Sequence, residues 1–106
     1  MEKNFYQKVY KIVKQIPYGK VTTYGHVALI AGSPNASRAV GYALRNIPLE
    51  NHENIPWHRV INAKGQISIR NVPGADKVQK DLLIKEKVEF DKNDKVDFQK
   101  FGWFPL

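Results

Sequence analysis

Two groups of residues in this 106-residue chain could do chemistry on a partner. One is the segment Ile55-Pro56-Trp57-His58-Arg59-Val60-Ile61. Its Trp57 offers an indole N–H donor and a large apolar face, and no nucleophile. The other is the set Arg38, Gly41, Tyr42 and Arg45, whose spacing of i, i+3, i+4 and i+7 would align it along one face of a helix. That stripe is basic, aromatic and interrupted by a gap. A glycine inside a helix costs about 0.5–1 kcal/mol relative to alanine, so a close neighbour should compensate. A DNA sugar-phosphate edge against Gly41 is one such neighbour. Ordinary solvated arginines, with Gly41 packed on another element of the chain, account for the stripe equally well.

Cysteine is absent, which excludes a thiolate nucleophile, a disulfide and a thiolate metal site. His52 beside Glu53 has no further ligands at metal spacing and is expected in a solvated loop. Nothing in the sequence calls for a cofactor or a metal.

The elements that must position these residues follow from periodicity. Over residues 4 to 16, Phe5, Val9, Ile12, Val13 and Ile16 share one helical stripe, with Lys8, Lys11 and Lys14 off it. Pro17-Tyr18-Gly19 stops that helix, and Lys20-Val21-Thr22 is too short to assign. Thr23 is a suitable N-cap for a helix through Ile30, with Gly32 placed to end it. Ser33-Pro34-Asn35 has the form of a cap and first turn for a third helix, Ala36 to about Asn46, with Ala36, Ala39, Val40, Ala43, Leu44 and Ile47 buried. Two short helices joined by a glycine-containing turn form a helix-turn-helix pattern.

Further along, Val60-Ile61 and Gln66 to Ile69 flank an Asn62-Ala63-Lys64-Gly65 turn and suggest a small hairpin or wing. A last helix is expected from Ala75 to Lys87, with Val78, Leu82, Leu83 and Val88 inward. Phe90 to Asp97 is expected to be irregular. Phe98, Phe101, Trp103 and Phe104 are expected to cover the core, with an exposed stacking platform for bases as the alternative. The fold class is therefore mostly α with small β elements: one helix-turn-helix, winged-helix-like DNA-binding domain over residues 1–106.

With 42% hydrophobic residues and no apolar run near bilayer length, the composition is that of a soluble globular chain. Met1-Glu2-Lys3-Asn4 leads directly into an amphipathic helix, so no signal peptide is expected. The protein is expected in the cytoplasm, associated with the nucleoid if the source is bacterial. The formal charge of +7 favours a polyanionic partner, because neutralising phosphates releases counterions.

Several stretches, taken in order, resemble one family. Gly19-Lys20-Val21-Thr22-Thr23-Tyr24-Gly25, Ala36-Ser37-Arg38-Ala39-Val40-Gly41-Tyr42-Ala43-Leu44-Arg45, Pro56-Trp57-His58-Arg59-Val60-Ile61 and Leu82-Leu83-Ile84-Lys85-Glu86 are similar to the DNA-binding domain of the O6-alkylguanine-DNA alkyltransferases. The similarity covers about residues 4 to 88. In that family the central loop reads Pro-Cys-His-Arg-Val, and its Cys thiolate takes the alkyl group from the base. Trp57 stands in the place of that Cys, as in the alkyltransferase-like proteins, which bind alkylated guanine without repairing it. The Trp103-Phe104-Pro105 ending resembles that of the short members.

The resemblance implies a recognition helix in the minor groove and a damaged nucleotide flipped into a pocket beside the loop. Arg38 resembles the arginine that fills the vacated stack, and Tyr24 the tyrosine that crowds the neighbouring phosphate. Ser37, Gly41 and Arg45 join them on the DNA face. Tyr24, Trp57, Val60 and Arg70 are the implied lesion-pocket residues, with the backbone of Trp57 and Val60 meeting the guanine edge and Arg70 near the alkylated base. His58 and Glu86, with Asn46 a looser match, look like the relay that would deprotonate the missing Cys, and here they are expected to support the loop structurally.

The expected function is non-enzymatic recognition of O6-alkylguanine in double-stranded DNA by a monomer, marking the lesion for nucleotide excision repair proteins. Two other classes compete: a sequence-specific winged-helix regulator, and an enzyme acting on the base through His58, Glu86 or an activated water.

Overall fold

A computed structural model describes residues 2–48, 51, 54–69 and 72–105. Its first helix, α1 (Glu2–Val13), forms because Phe5, Val9, Ile12 and Val13 fall on one buried stripe while Lys8 and Lys11 stay in water. It ends earlier than the apolar spacing suggests. Pro17 disfavours helical geometry in the residue before it, and the chain leaves the helix through turn bonds such as Gln15 N–H to the Ile12 carbonyl at 3.0 Å. Ile16 still reaches the core.

Strand β1 (Thr22–Thr23) runs parallel to β2 (Val60–Ile61), with Thr22 opposite Val60 and Thr23 opposite Ile61. Alternation along β2 sends Val60 into the core of the N-terminal helices and Ile61 into a second core with Val21, Leu83, Val88, Val96 and Phe101. This pairing corrects the expected hairpin. The Asn62–Gly65 turn exists, with Asn62 N–H bonded to the Gln66 carbonyl at 3.0 Å and Asn62 Oδ1 accepting from the N–H groups of Lys64 and Gln66. No return strand follows over 66–69, because β2 pairs with β1 instead.

Between the strands lie α2 (Tyr24–Ile30) and α3 (Ser37–Arg45). Thr23 caps α2 as expected, its hydroxyl oxygen accepting from His26 N–H at 3.1 Å. Ser33-Pro34-Asn35 does not open α3. It makes a separate turn closed by Ala36 N–H to the Ser33 carbonyl at 2.9 Å, and the N-cap is Ala36, without a side-chain bond. Val27, Ala28, Val40 and Ala43 pack with Val9 and Val13, and the Tyr10 hydroxyl donates to the Ala43 carbonyl at 2.8 Å, tying α1 to α3.

The stripe of α4 (Ala75–Lys85) differs from the expected one. Leu83 and Val88 are buried and Leu82 is half-buried, but Val78 is 51% exposed and Gln79 turns inward at 1%. Gln79 donates to the carbonyls of His58 and Val60 at 3.1 and 2.9 Å. Buried loop carbonyls require donors, and that requirement outweighs the apolarity of Val78. Phe90 and Val96 form an antiparallel bridge in the segment expected to be irregular.

Helix α5 (Phe98–Phe101) leads to a C-terminal segment bound alongside β1, through Val21 N–H to the Phe101 carbonyl and Trp103 N–H to the Val21 carbonyl, both 2.8 Å. Phe101 is buried and Trp103 packs on the core. Phe104 remains at the edge, its ring against Phe98 and His26. The aromatic ending therefore covers the core. No described helix is long and apolar enough to cross a membrane.

Candidate nucleic-acid interface

The outer face of α3 borders a cleft of about 500 Å³, a size at which pockets enclose ligand-sized groups. Tyr24, Ser37, Arg38, Gly41, Tyr42, Leu44, Arg45, Trp57, Ser68 and Ile69 line it. The helix brings its residues there by periodicity, α2 begins with Tyr24, and the Trp57 turn closes the far wall. Among the described residues no carboxylate or imidazole lines these walls, and two arginines do, so the cleft suits an anionic partner.

Gly41 discriminates between the two readings of its stripe. A Cβ built on it meets nothing within 4 Å, so no element of the described chain occupies the gap. Arg38 is exposed and forms no ion pair with a described residue. Arg45 stacks over the Tyr42 ring at 4.7 Å. Burial pushes the Tyr24 hydroxyl above its ordinary value of 10.0, against the hydrogen bond to Ser68 and the charge of Arg45, so it stays protonated at neutral pH.

Trp57 begins a 3-10 turn (Trp57–Arg59) and donates its backbone N–H to the Ile55 carbonyl at 2.7 Å. Its ring is half-buried against the core and stands edge-on to His58, with centroids 6.1 Å apart. The indole is thus a wall of the cleft and does not plug it.

Behind the turn, Glu86 anchors a closed network. Its Oε2 accepts from His58 Nε2 at 2.6 Å and from Arg59 Nη2 at 2.8 Å. Its Oε1 accepts from Arg59 Nε at 2.9 Å and from the Gly19 N–H at 2.8 Å. Arg59 Nη1 donates to the Ile16 carbonyl at 2.8 Å, which fixes the turn to the end of the α1 region. Gly19 can approach so closely because it has a φ of 78° and no Cβ. Burial alone would raise the Glu86 carboxyl, but the bonds from Arg59, Gly19 and His58 outweigh it and hold the group below its ordinary 4.5. Burial pushes the His58 imidazole below its ordinary 6.5, although the bond and charge of Glu86 oppose this. His58 is therefore neutral at pH 7, donating a proton to a carboxylate whose charge Arg59 balances.

Among the residues expected from the sequence, Tyr24, Ser37, Arg38, Gly41, Arg45 and Trp57 meet at one cleft, and His58 meets Glu86 behind it. Val60 does not reach the cleft wall. It is fully buried, its N–H bonds the Trp57 carbonyl, and its own carbonyl takes the Gln79 amide. Asn46 does not reach the loop network, because its Nδ2 donates to the Tyr42 carbonyl at 2.7 Å and closes its own helix. Arg70, like His52 and Glu53, lies outside the described residues.

Leu44, Ser68, Ile69 and Gln79 were not expected to contribute. The apolar spacing of α3 places Leu44 wholly in the core, and the turn at 62–65 predicts for Ser68 and Ile69 a strand that does not form. An inward polar residue at Gln79 carries no apolar signal.

A helix-turn-helix whose second helix borders an open, cation-lined cleft is a DNA-binding architecture. Residues 4–88 match the family described as the DNA-binding domain of 6-O-methylguanine DNA methyltransferase, and the chain belongs to that family. It is 43% identical over 105 residues to alkyltransferase-like protein 1 of Schizosaccharomyces pombe, covering 95% of both chains. It is 42% identical over 102 residues to the DNA base-flipping protein of Escherichia coli, covering 96% of this chain and 76% of that one.

The crystal structure of the S. pombe protein in complex with damaged DNA containing O6-carboxymethylguanine matches with a TM-score of 0.85 at 42% identity, over 99% of this chain and 100% of that one. The Mycobacterium tuberculosis O6-methylguanine methyltransferase matches with a TM-score of 0.71 at 37% identity, over 82% of this chain but 50% of that one. The likeness thus runs the length of an alkyltransferase-like protein and half the length of a methyltransferase. The thiol that an alkyl acceptor needs does not occur in the present sequence.

Proposed function

We propose that this protein recognises O6-alkylguanine in double-stranded DNA without repairing it, as a monomer that holds the flipped base in the cleft beside Trp57. The observation that carries this reading is the open cleft itself, where an indole wall meets Arg38, Tyr24 and the gap at Gly41. In this reading α3 lies in the minor groove and the sugar-phosphate edge approaches Gly41. Arg38 enters the stack, where a planar guanidinium can both stack and hydrogen-bond. Tyr24 crowds the adjacent phosphate, and Ser37 and Arg45 contact the backbone. Extrusion costs a few kcal/mol of unstacking, least at a damaged pair, which favours alkylated over normal guanine. Arg70 is assigned to the alkylated base by family resemblance.

Catalysis is disfavoured by the same geometry. His58 and Glu86 are committed to one another and to Arg59, and neither lines the cleft. The bound lesion is then passed to nucleotide excision repair proteins in the cytoplasm, at the nucleoid in a bacterium.

Electrophoretic mobility shift with duplexes that differ only in guanine or O6-methylguanine tests the reading. Tighter binding of the methylated duplex is expected, and mass analysis of the recovered strand should show the methyl group in place. Equal affinities would refute recognition, and a lost methyl group or base would refute its non-enzymatic character.

A further inference from the structure

A second cleft, of about 470 Å³, lies behind the Trp57 turn and shares Trp57 with the first as a wall. Its other walls are the buried Ile55, the half-buried Pro56, Leu82, His58 and Arg59, and the exposed Asn54 and Lys14. Lys14 continues a row: Lys8 and Lys11 are also exposed on the outer side of α1, and no described carboxylate pairs with any of the three. The opposite side of α1 faces α3, through the fully buried Val9 and Val13 and the bond from Tyr10 to Ala43. The lysine row therefore lies across the helical body from Arg38 and Arg45.

Charge segregation makes this row conspicuous. Residues 3–49 contain seven basic side chains and no carboxylate, so the whole formal charge of +7 belongs to this part of the chain, while the remaining basic and acidic residues cancel. Two of those seven, Arg38 and Arg45, stand on the cleft side. Lys8, Lys11 and Lys14 form a second cationic row, across α1 from its packed side.

We propose that this surface docks an acidic, extended protein segment, with one large apolar side chain seated behind Trp57 and flanking carboxylates on Lys8, Lys11 and Lys14. The apolar part of the lining, Ile55, Pro56, Leu82 and the indole, favours a peptide over a second DNA duplex, and Lys14 and Arg59 beside it suit the flanking carboxylates. A peptide has a side chain that gains by leaving water, whereas an intact duplex presents a phosphate ridge with nothing to fill such a cleft. Binding on this side leaves the α3 face open, so DNA and peptide can be held together. Because Trp57 belongs to both clefts, a base that moves the indole changes the seat of the peptide. By linkage each ligand then alters the affinity of the other by the same factor. This coupling rests on the lesion-recognition reading; the docking does not.

The probe is a fluorescently labelled acidic peptide with a single central phenylalanine, followed by anisotropy. Wild type should bind it. Replacing the phenylalanine with alanine, or introducing Lys11→Glu together with Lys14→Glu, should weaken binding at least about tenfold. Lys92→Glu with Lys95→Glu makes the same charge change at exposed positions elsewhere and should leave peptide binding within about twofold. The Lys11/Lys14 variant should keep its lesion-to-guanine affinity ratio, which also shows that it folds.

Saturating O6-methylguanine duplex should shift peptide affinity by at least about fivefold, the lower end of the usual range of linkage, and guanine duplex at equal concentration should not. Docking is overturned if both lysine pairs weaken binding alike, if the alanine peptide binds as well, or if undamaged duplex displaces the peptide in a manner that requires Lys11 and Lys14. An unchanged peptide affinity on lesion binding overturns the coupling. Equal binding of wild type to both duplexes would remove the function proposed above while the lysine and phenylalanine comparisons still decided the docking.

Discussion

On one side of the Trp57 turn, Glu86 accepts four close hydrogen bonds, from His58, from Arg59 twice and from Gly19. On the other, Arg38 is exposed without an ion partner among the described residues, and the Gly41 gap is empty. The two regions are one residue apart in sequence at Trp57 and His58, yet only the first is satisfied from within. A polar group paired inside the fold stabilises it and has little left for a partner, whereas one held out in solvent contributes little to folding and can meet DNA. The relay beneath the loop is therefore assigned to structure and the cleft to binding.

The strongest way to break this division is at Glu86. Glu86→Ala leaves the half-buried Arg59 and the Gly19 N–H without their acceptor, and unfolding in urea should show a loss of about 3 kcal/mol. A variant as stable as wild type would remove the network's structural role. Acid probes the same network. Both His58 and Glu86 titrate below their ordinary values in the folded protein, so the unfolded chain binds more protons as pH falls. Stability should be fully present above about pH 6.5, begin to fall below it, and fall further below about pH 4.5 as Glu86 is protonated. Glu86→Gln should flatten the lower part of that curve.

Arg38→Ala should do the reverse of Glu86→Ala. Its melting temperature should match wild type within error, while affinity for the O6-methylguanine duplex falls at least about tenfold, or 1.4 kcal/mol. An unfolding defect, or unchanged affinity, would erase the contrast. The α4 face supplies a further comparison. Gln79→Ala removes the donor to two buried loop carbonyls and should cost about 1–3 kcal/mol, whereas Val78→Ala, at a site 51% exposed, should change stability by less than about 0.5 kcal/mol. The smallest expected effect is the sharpest. Gly41→Ala enters open space and should stabilise α3 by about 0.5–1 kcal/mol while weakening duplex binding. Stabilisation with unchanged binding would mean that no DNA edge approaches there.

What the sequence revealed follows the range of the interactions. The three N-terminal helices, the Thr23 cap and the stripe of α3 are written in spacings of three and four, and they bring Tyr24, Arg38, Gly41 and Arg45 to one surface. The pairing of Thr22 with Val60 joins two-residue strands across an intervening pair of helices, so the local pattern at Val60-Ile61 suggested a hairpin instead. Ser68 and Ile69 enter the cleft, and Gln79 turns inward, because of where other elements place the loop. Val60 leaves the cleft for the same reason: its position is set by strand alternation and by its bond from Gln79. Asn46 had a nearer acceptor at Tyr42, one helical turn back.

The central claim is that an extruded, modified base lies against the face of Trp57. Trp103→Phe leaves Trp57 as the single tryptophan, so its emission can be followed as duplex is added. Strong, saturable quenching by O6-methylguanine duplex and little by the guanine duplex is the result this account predicts. Emission that responds identically to both duplexes, at concentrations where both are bound, would contradict it.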